Sequence, residues 1–120
     1  MAKKCEHEKI KSSCPSCSSE QALKKYERAA KRRNILFSLT LTQFEKLTDA
    51  SCVFCGEQPS LGVDRKDSRI GYNFLNSQSC CGFCNRLKSD FIQENFLIQV
   101  QKIAAYQEQL RQQRLRLEVA

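Results

Sequence analysis

The stretch "CVFCGEQPSLGVDRKDSRIGYNFLNSQSCCGFCNRLKSDF", residues 52–91, decides the fold. It opens on Cys52-x2-Cys55 and reaches Cys81-x2-Cys84 after 25 intervening residues. Each C-x2-C turn presents two thiolates on one side of the backbone, and two such turns complete a tetrahedral Zn²⁺ set. No coordination position stays open, so this zinc is expected to hold the fold and not to catalyse. Binding energy at such a site is folding energy, on the order of 10 kcal/mol. The segment between the turns then becomes a clamped β-hairpin. The C-x2-C step selects Cys81 over Cys80, which leaves Cys80 as a small buried apolar residue. A redox dithiol is the rival reading of the same pairs.

A second set lies upstream, Cys5-x-His7-x6-Cys14-x2-Cys17. All four residues are competent ligands, and a second structural zinc is expected there. His7 is the only histidine of the chain, so once bound to metal it is not available as a base.

A chain of 120 residues bounds the answer to one small domain or two minute ones. The net charge is +7 with a pI near 9.1. Residues 1–33 hold ten Lys/Arg against four Glu, so most of the excess sits in the head. A basic head on a near-neutral body suits a polyanion, most simply nucleic acid, and a solvated charged helix is the plainer reading. The start lacks the apolar stretch of a secretory signal, and no run approaches the roughly 18 apolar residues of a membrane span. Eight cysteines without an export signal point to a reducing, cytoplasmic compartment, where paired cysteines bind metal more often than they form disulfides.

Residues 20–33 read as a helix, with Leu23, Tyr26 and Ala30 on one stripe. "ILFSLTLT" reads as a short strand or extended segment, and "TQFEKL" as a short helix whose Thr42 and Glu45 form a capping box. "LGVDRKDSRIGYNFLN" reads as two short strands joined by a loop, with Gly71 at the return. From about Asp90 to Leu117 the chain reads as helix. Phe91, Phe96, Val100, Ile103 and Leu110 form its apolar stripe, expected in a core. The organisation expected is a basic zinc knuckle and helix over 1–33, then a domain over 34–120 ending in a long helix.

The 52–91 stretch, with "AAKRRNILFSLTLTQFEKLTDASC" before it and "DFIQENFLIQVQKI" after it, resembles the HNH (ββα-metal) endonucleases. The likeness is to the phage, viral and restriction-enzyme branch, and it covers about residues 5–105. It implies a small α+β zinc-stabilised domain: a treble-clef-like ββα-metal core with an N-terminal zinc knuckle and flanking helices. By that resemblance Asp64 and Asn85 would ligate a catalytic divalent cation, and Asn76 would brace the site. Arg65 stands where most members place a histidine general base. Oxygen ligands suit Mg²⁺ or Mn²⁺, which neutralise charge on the transition state and ease departure of the 3′ oxygen.

Arg65 cannot act as a base, because its guanidinium stays protonated, but it can grip a phosphate. Many relatives have a tyrosine where this chain has Phe54. Tyr72, Asp67 or a metal-bound water are the remaining candidates to activate water. Asn85 could also cap the helix that follows it. Lys66, Arg69, Arg86, Lys88, Lys31, Arg32 and Arg33 are candidate phosphate contacts. The function implied is a metal-dependent DNA endonuclease or nickase acting on double-stranded DNA. Cutting both strands would call for two sites, hence a homodimer. The alternative is a catalytically degenerate, zinc-stabilised DNA-binding protein.

Overall fold

A computed structural model describes residues 15–119, with side chains from Ser18 onward. Cys5, His7 and Cys14 lie outside the described residues, as does the side chain of Cys17, so the expected N-terminal knuckle does too. The elements are α1 (Pro15–Arg32), α2 (Leu41–Asp49), β1 (Val63–Arg65), β2 (Ser77–Ser79), α3 (Gly82–Lys88) and α4 (Gln93–Val119). Among the described residues no helix is long and apolar enough to cross a membrane.

Helix α1 begins five residues earlier than the apolar stripe indicated. Pro15 takes the first helical position, where its missing amide costs nothing. The helix ends in a Schellman turn. Asn34 is left-handed (φ 56), Ile35 N donates to the Ala30 carbonyl at 2.8 Å and Asn34 N to that of Lys31 at 3.2 Å. Helix α2 is capped by Thr40 and Gln43, not by Thr42 and Glu45. Thr40 Oγ1 accepts from Gln43 N at 3.2 Å, and Gln43 Oε1 accepts from Thr40 N at 3.0 Å. Two overlapping boxes were available in the sequence. The earlier one lengthens the helix, which buries Phe44 and Thr48.

The sheet is one antiparallel ribbon with register Val63↔Ser79, Asp64↔Gln78 and Arg65↔Ser77. All six strand residues are buried. The second strand therefore lies beyond the stretch expected to hold both strands, and residues 66–76 form the loop. Gly71 does not close the ribbon. A Cβ there would lie 2.5 Å from the Leu36 carbonyl, because the backbone at Tyr72 pairs with residues 36–38. Tyr72 N donates to Leu36 O and Ser38 N to Tyr72 O, both at 2.8 Å. The "ILFSLTLT" segment thus makes a single parallel bridge, Phe37↔Tyr72, and not a strand.

The core gathers Ala30, Leu39, Phe44, Val63 and Tyr72. The Tyr26 ring stands edge-on to Phe44 and Tyr72, with centroids 5.3 and 6.1 Å away. Helix α1 is thus part of the ribbon's own core, and the chain divides into compact units after Leu87. The second unit, Lys88–Ala120, is dominated by α4. None of the α4 residues is buried. Val100 is 41% and Ile103 52% exposed, and Phe91 just before the helix is 66% exposed, so this stripe is not a core. Periodicity set the helix correctly but says nothing of what covers its apolar face.

Candidate metal centre

Cys52, Cys55, Cys81 and Cys84 bring their sulfurs within 4.8 Å of one another, and Cys55 and Cys81 sulfurs are 3.7 Å apart. Tetrahedral Zn²⁺ with Zn–S bonds of about 2.3 Å needs sulfurs about 3.8 Å apart, so the four donors fit that ion. Local backbone shapes both turns. Gly56 N donates to the Cys52 carbonyl at 3.0 Å with Gly56 at φ 80, and Cys84 N points to Cys81 Sγ at 3.4 Å where α3 begins. Burial pushes the Cys52 thiol up, but the Cys55, Cys81 and Phe54 backbone amides outweigh it and bring it down to about 6. Burial and the neighbouring thiols raise that of Cys84. A dication at the centre favours the thiolate at all four positions. Cys80 stays out of the set. It is fully buried, and burial followed by the charge of Asp64 pushes its thiol up to about 12.

On the ribbon, Asp64 is 6% exposed and faces Gln78, whose Nε2 donates to Asp64 Oδ2 at 3.0 Å. Residue-by-residue reading missed Gln78. Its only signal is the strand register, which the misplaced second strand concealed. Asn85 sits inside α3, with its amide bonded to the Cys81 carbonyl at 2.9 Å, so it is not a cap. Its Nδ2 reaches the carbonyl of Val63, the residue before Asp64, at 3.4 Å. The helix after the thiol turn and the strand bearing the carboxylate therefore meet at this amide.

The loop end is ordered by polar side chains turned onto backbone. Asn76 Nδ2 donates to the carbonyls of Asp67, Ile70 and Gly71 at 3.0–3.3 Å, and its Oδ1 accepts from Asp67 N at 3.0 Å. Arg65, 8% exposed, donates through Nη1 to Ser68 O at 2.7 Å and Ile70 O at 3.2 Å, and its Cζ lies 5.4 Å from the centre of the Tyr72 ring. Tyr72 is 9% exposed, its ring against Tyr26, Phe37 and Arg65. Tyr26, placed by the sequence on a helix stripe, accepts the Val63 amide on its hydroxyl at 3.2 Å, and burial raises its pKa.

Of the candidate phosphate contacts, Lys66, Arg86, Lys31, Arg32 and Arg33 are exposed. Arg69 is exposed and forks onto Asp67 through Nε and Nη2 at 3.0 and 2.9 Å, which holds the Asp67 carboxyl down to about 2. Lys88 is 1% exposed and so presents no open cation.

A two-stranded ribbon, a four-thiol cluster at its open end and a helix leaving that cluster make the fold HNH-like. Among solved structures the chain is similar to the rare-cutting HNH restriction endonuclease PacI, with a TM-score of 0.57 and 25% identity. That match covers 78% of this chain and 79% of PacI. The chain is also 31% identical over 85 residues to an uncharacterized protein of Acanthamoeba polyphaga mimivirus, 68% of this chain. It spans 16% of that relative's length. No protein-family model matches the chain.

Proposed function

We propose that the chain is a metal-dependent DNA endonuclease of the HNH type. The observation that carries the reading is the buried Asp64, held by Gln78, on the strand that the Asn85 amide reaches. The likeness to PacI supports a nuclease with DNA as substrate. With Nδ2 committed to Val63, the Asn85 amide keeps Oδ1 for a cation, and Gln78 sets the plane of the Asp64 carboxylate. A bound Mg²⁺ or Mn²⁺ supplies charge neutralisation at the scissile phosphate and at the leaving 3′ oxygen.

Asn76 and Arg65 act as positioning residues, because both spend hydrogen bonds on the loop that continues from Asp64. Arg65 also keeps a permanent positive charge beside the site. Neither Arg65 nor the core residue Tyr72 suits proton acceptance from water, and Asp67 is a weak base at a pKa of about 2. The proton of the attacking water therefore passes to bulk solvent. The exposed cations Lys66, Arg86, Lys31, Arg32 and Arg33 would track phosphates, giving affinity that falls steeply with salt. Cys52, Cys55, Cys81 and Cys84 would hold one zinc, and Cys5, His7, Cys14 and Cys17 a second.

The test is supercoiled plasmid with Mg²⁺ or Mn²⁺, beside Asp64→Ala and Asn85→Ala shown by circular dichroism to be folded. Wild type converts plasmid to nicked or linear form, and each variant loses at least about 100-fold in rate. Linear product without nicked intermediate indicates paired sites in a dimer. A second reading, a DNA binder with a degenerate centre, is favoured by the commitment of Arg65 to loop carbonyls where a base would stand. A gel shift with no cleavage under either metal would select it.

A further inference from the structure

One flank of α1, beside its core-facing side, forms part of a cleft of about 460 Å³, within the range of small-molecule sites. Ala22, Tyr26 and Ala30 line it in one row of α1, and Lys25 and Ala29 in a second row that Arg33, just past the helix end, continues. Leu61 and Tyr72 complete the lining. The alanines leave room where larger side chains would close the space. The Tyr26 and Tyr72 rings give the cleft an aromatic boundary, and Lys25 and Arg33 stand one at each end of Ala29. The two cations are eight positions apart, about 12 Å at a helical rise, and both are exposed on flexible stems that can converge.

Leu61 adds an independent sign. It holds φ 62, in the left-handed region that a leucine rarely adopts, yet its side chain is 74% exposed. Its surroundings enforce that backbone. Leu61 N donates to Thr48 O at 2.9 Å, and the buried Ser60 hydroxyl is bonded to the Leu47 and Gly62 carbonyls, both at 3.2 Å. The fold gains no burial from an apolar side chain strained outward onto the rim of a cleft. A ligand covering it would.

We propose that this cleft takes a single unstacked nucleotide of a DNA strand, its base between the alanine face and Leu61 and its two flanking phosphates on Lys25 and Arg33. A largely apolar lining with a cation at either end suits a residue inside a chain better than a terminal phosphate. Base stacking on side chains supplies affinity without sequence choice, and the cations add a salt-sensitive part. The assignment of a DNA strand rests on the nuclease reading, but the cleft itself is tested without cleavage.

The probe is deoxythymidine 3′,5′-bisphosphate added to zinc-loaded, isotope-labelled protein without Mg²⁺, with inorganic phosphate and thymidine as comparisons. Amide resonances of Ala29, Leu61 and Tyr72 are expected to shift saturably, with affinity at least about tenfold above inorganic phosphate. Ala29→Leu, which fills the cleft, abolishes these shifts. Lys25→Gln with Arg33→Gln, both at exposed positions, weakens binding about tenfold and serves if the filled variant does not fold. Asp64→Ala leaves binding unchanged. Equal binding of phosphate, shifts mapping to other residues, or unchanged binding by the double variant overturns the proposal. Because nothing is cleaved, failure here leaves the plasmid result standing, and loss of plasmid cleavage does not touch this one.

Discussion

The two ends of the β1–β2 ribbon are held in different ways. At the open end Cys80 N meets the Gly62 carbonyl at 3.1 Å, and the sulfurs of Cys81 and Cys84 then close on those of Cys52 and Cys55. At the loop end Lys66 N meets the Asn76 carbonyl at 2.7 Å, and the turn beyond is held by Asn76, Arg65 and the Asn73 side chain. With zinc held by its four thiols, one end would draw stability from an ion outside the chain and so depend on metal activity and proton concentration. The other is self-contained and depends on satisfying part-buried loop carbonyls. Asp64 lies between them, so its placement needs both.

The largest effect comes from breaking the open end. Chelation, or Cys84→Ser, removes a contribution on the order of 10 kcal/mol and should unfold the ribbon unit. Far-UV circular dichroism and metal analysis on the same samples check it. Cys80→Ala supplies the contrast, since its sulfur lies outside the four-donor set, and it should keep its zinc. Metal loss from Cys80→Ala equal to that from Cys84→Ser would show that the wrong thiol of the Cys80–Cys81 pair had been assigned.

These two ends also differ in how far they could be read from sequence. The open end was legible because metal geometry demands particular residues at particular spacings, and Cys52, Cys55, Cys81 and Cys84 met that demand. The loop end was not. Nothing in "RKDSRIGYNFLN" says that one asparagine amide will serve three carbonyls, and the ribbon's second strand fell later, at "SQS", where a polar run gives no alternation signal. Gln78 was missed for that reason. Tyr26 was read as one member of a helical stripe, whereas its hydroxyl binds the strand that bears Asp64. The stripe on α4 failed in the opposite sense, since a regular apolar face was present without burial.

Asn76→Ala tests the loop end. It removes one donor from each of the Asp67, Ile70 and Gly71 carbonyls and the acceptor of the Asp67 amide, while Asp67 O keeps Ile70 N and Ile70 O keeps Arg65 Nη1; the residue is only 8% exposed. The expected cost is about 2–4 kcal/mol, read from urea unfolding with zinc in excess and with metal content unchanged. Its plasmid cleavage should fall through misplacement of Asp64, with the rate affected more than DNA affinity. A loss of zinc alongside the loss of stability would mean that the two ends are not independent.

The smallest effect belongs to the Asp67–Arg69 pair on the same loop. The Asp67 carboxyl is held at about 2, below its unfolded value of about 3.9, so any stabilisation is present above pH 4 and disappears as pH falls through 2. The Arg69 side chain is 88% exposed, and solvent and salt screen the pair. Asp67→Asn should therefore leave the urea midpoint at neutral pH almost unchanged, because Asn76 binds the backbone of residue 67 and not its carboxylate. A shift matching that of Asn76→Ala would show that the ion pair, not the amide, orders the loop. Acid titration separates the ends in the same way. Thiolates must stay deprotonated to keep zinc, so acidification releases the metal above the window in which Asp67 titrates. The ribbon then opens from its cysteine end while the loop pair is still formed.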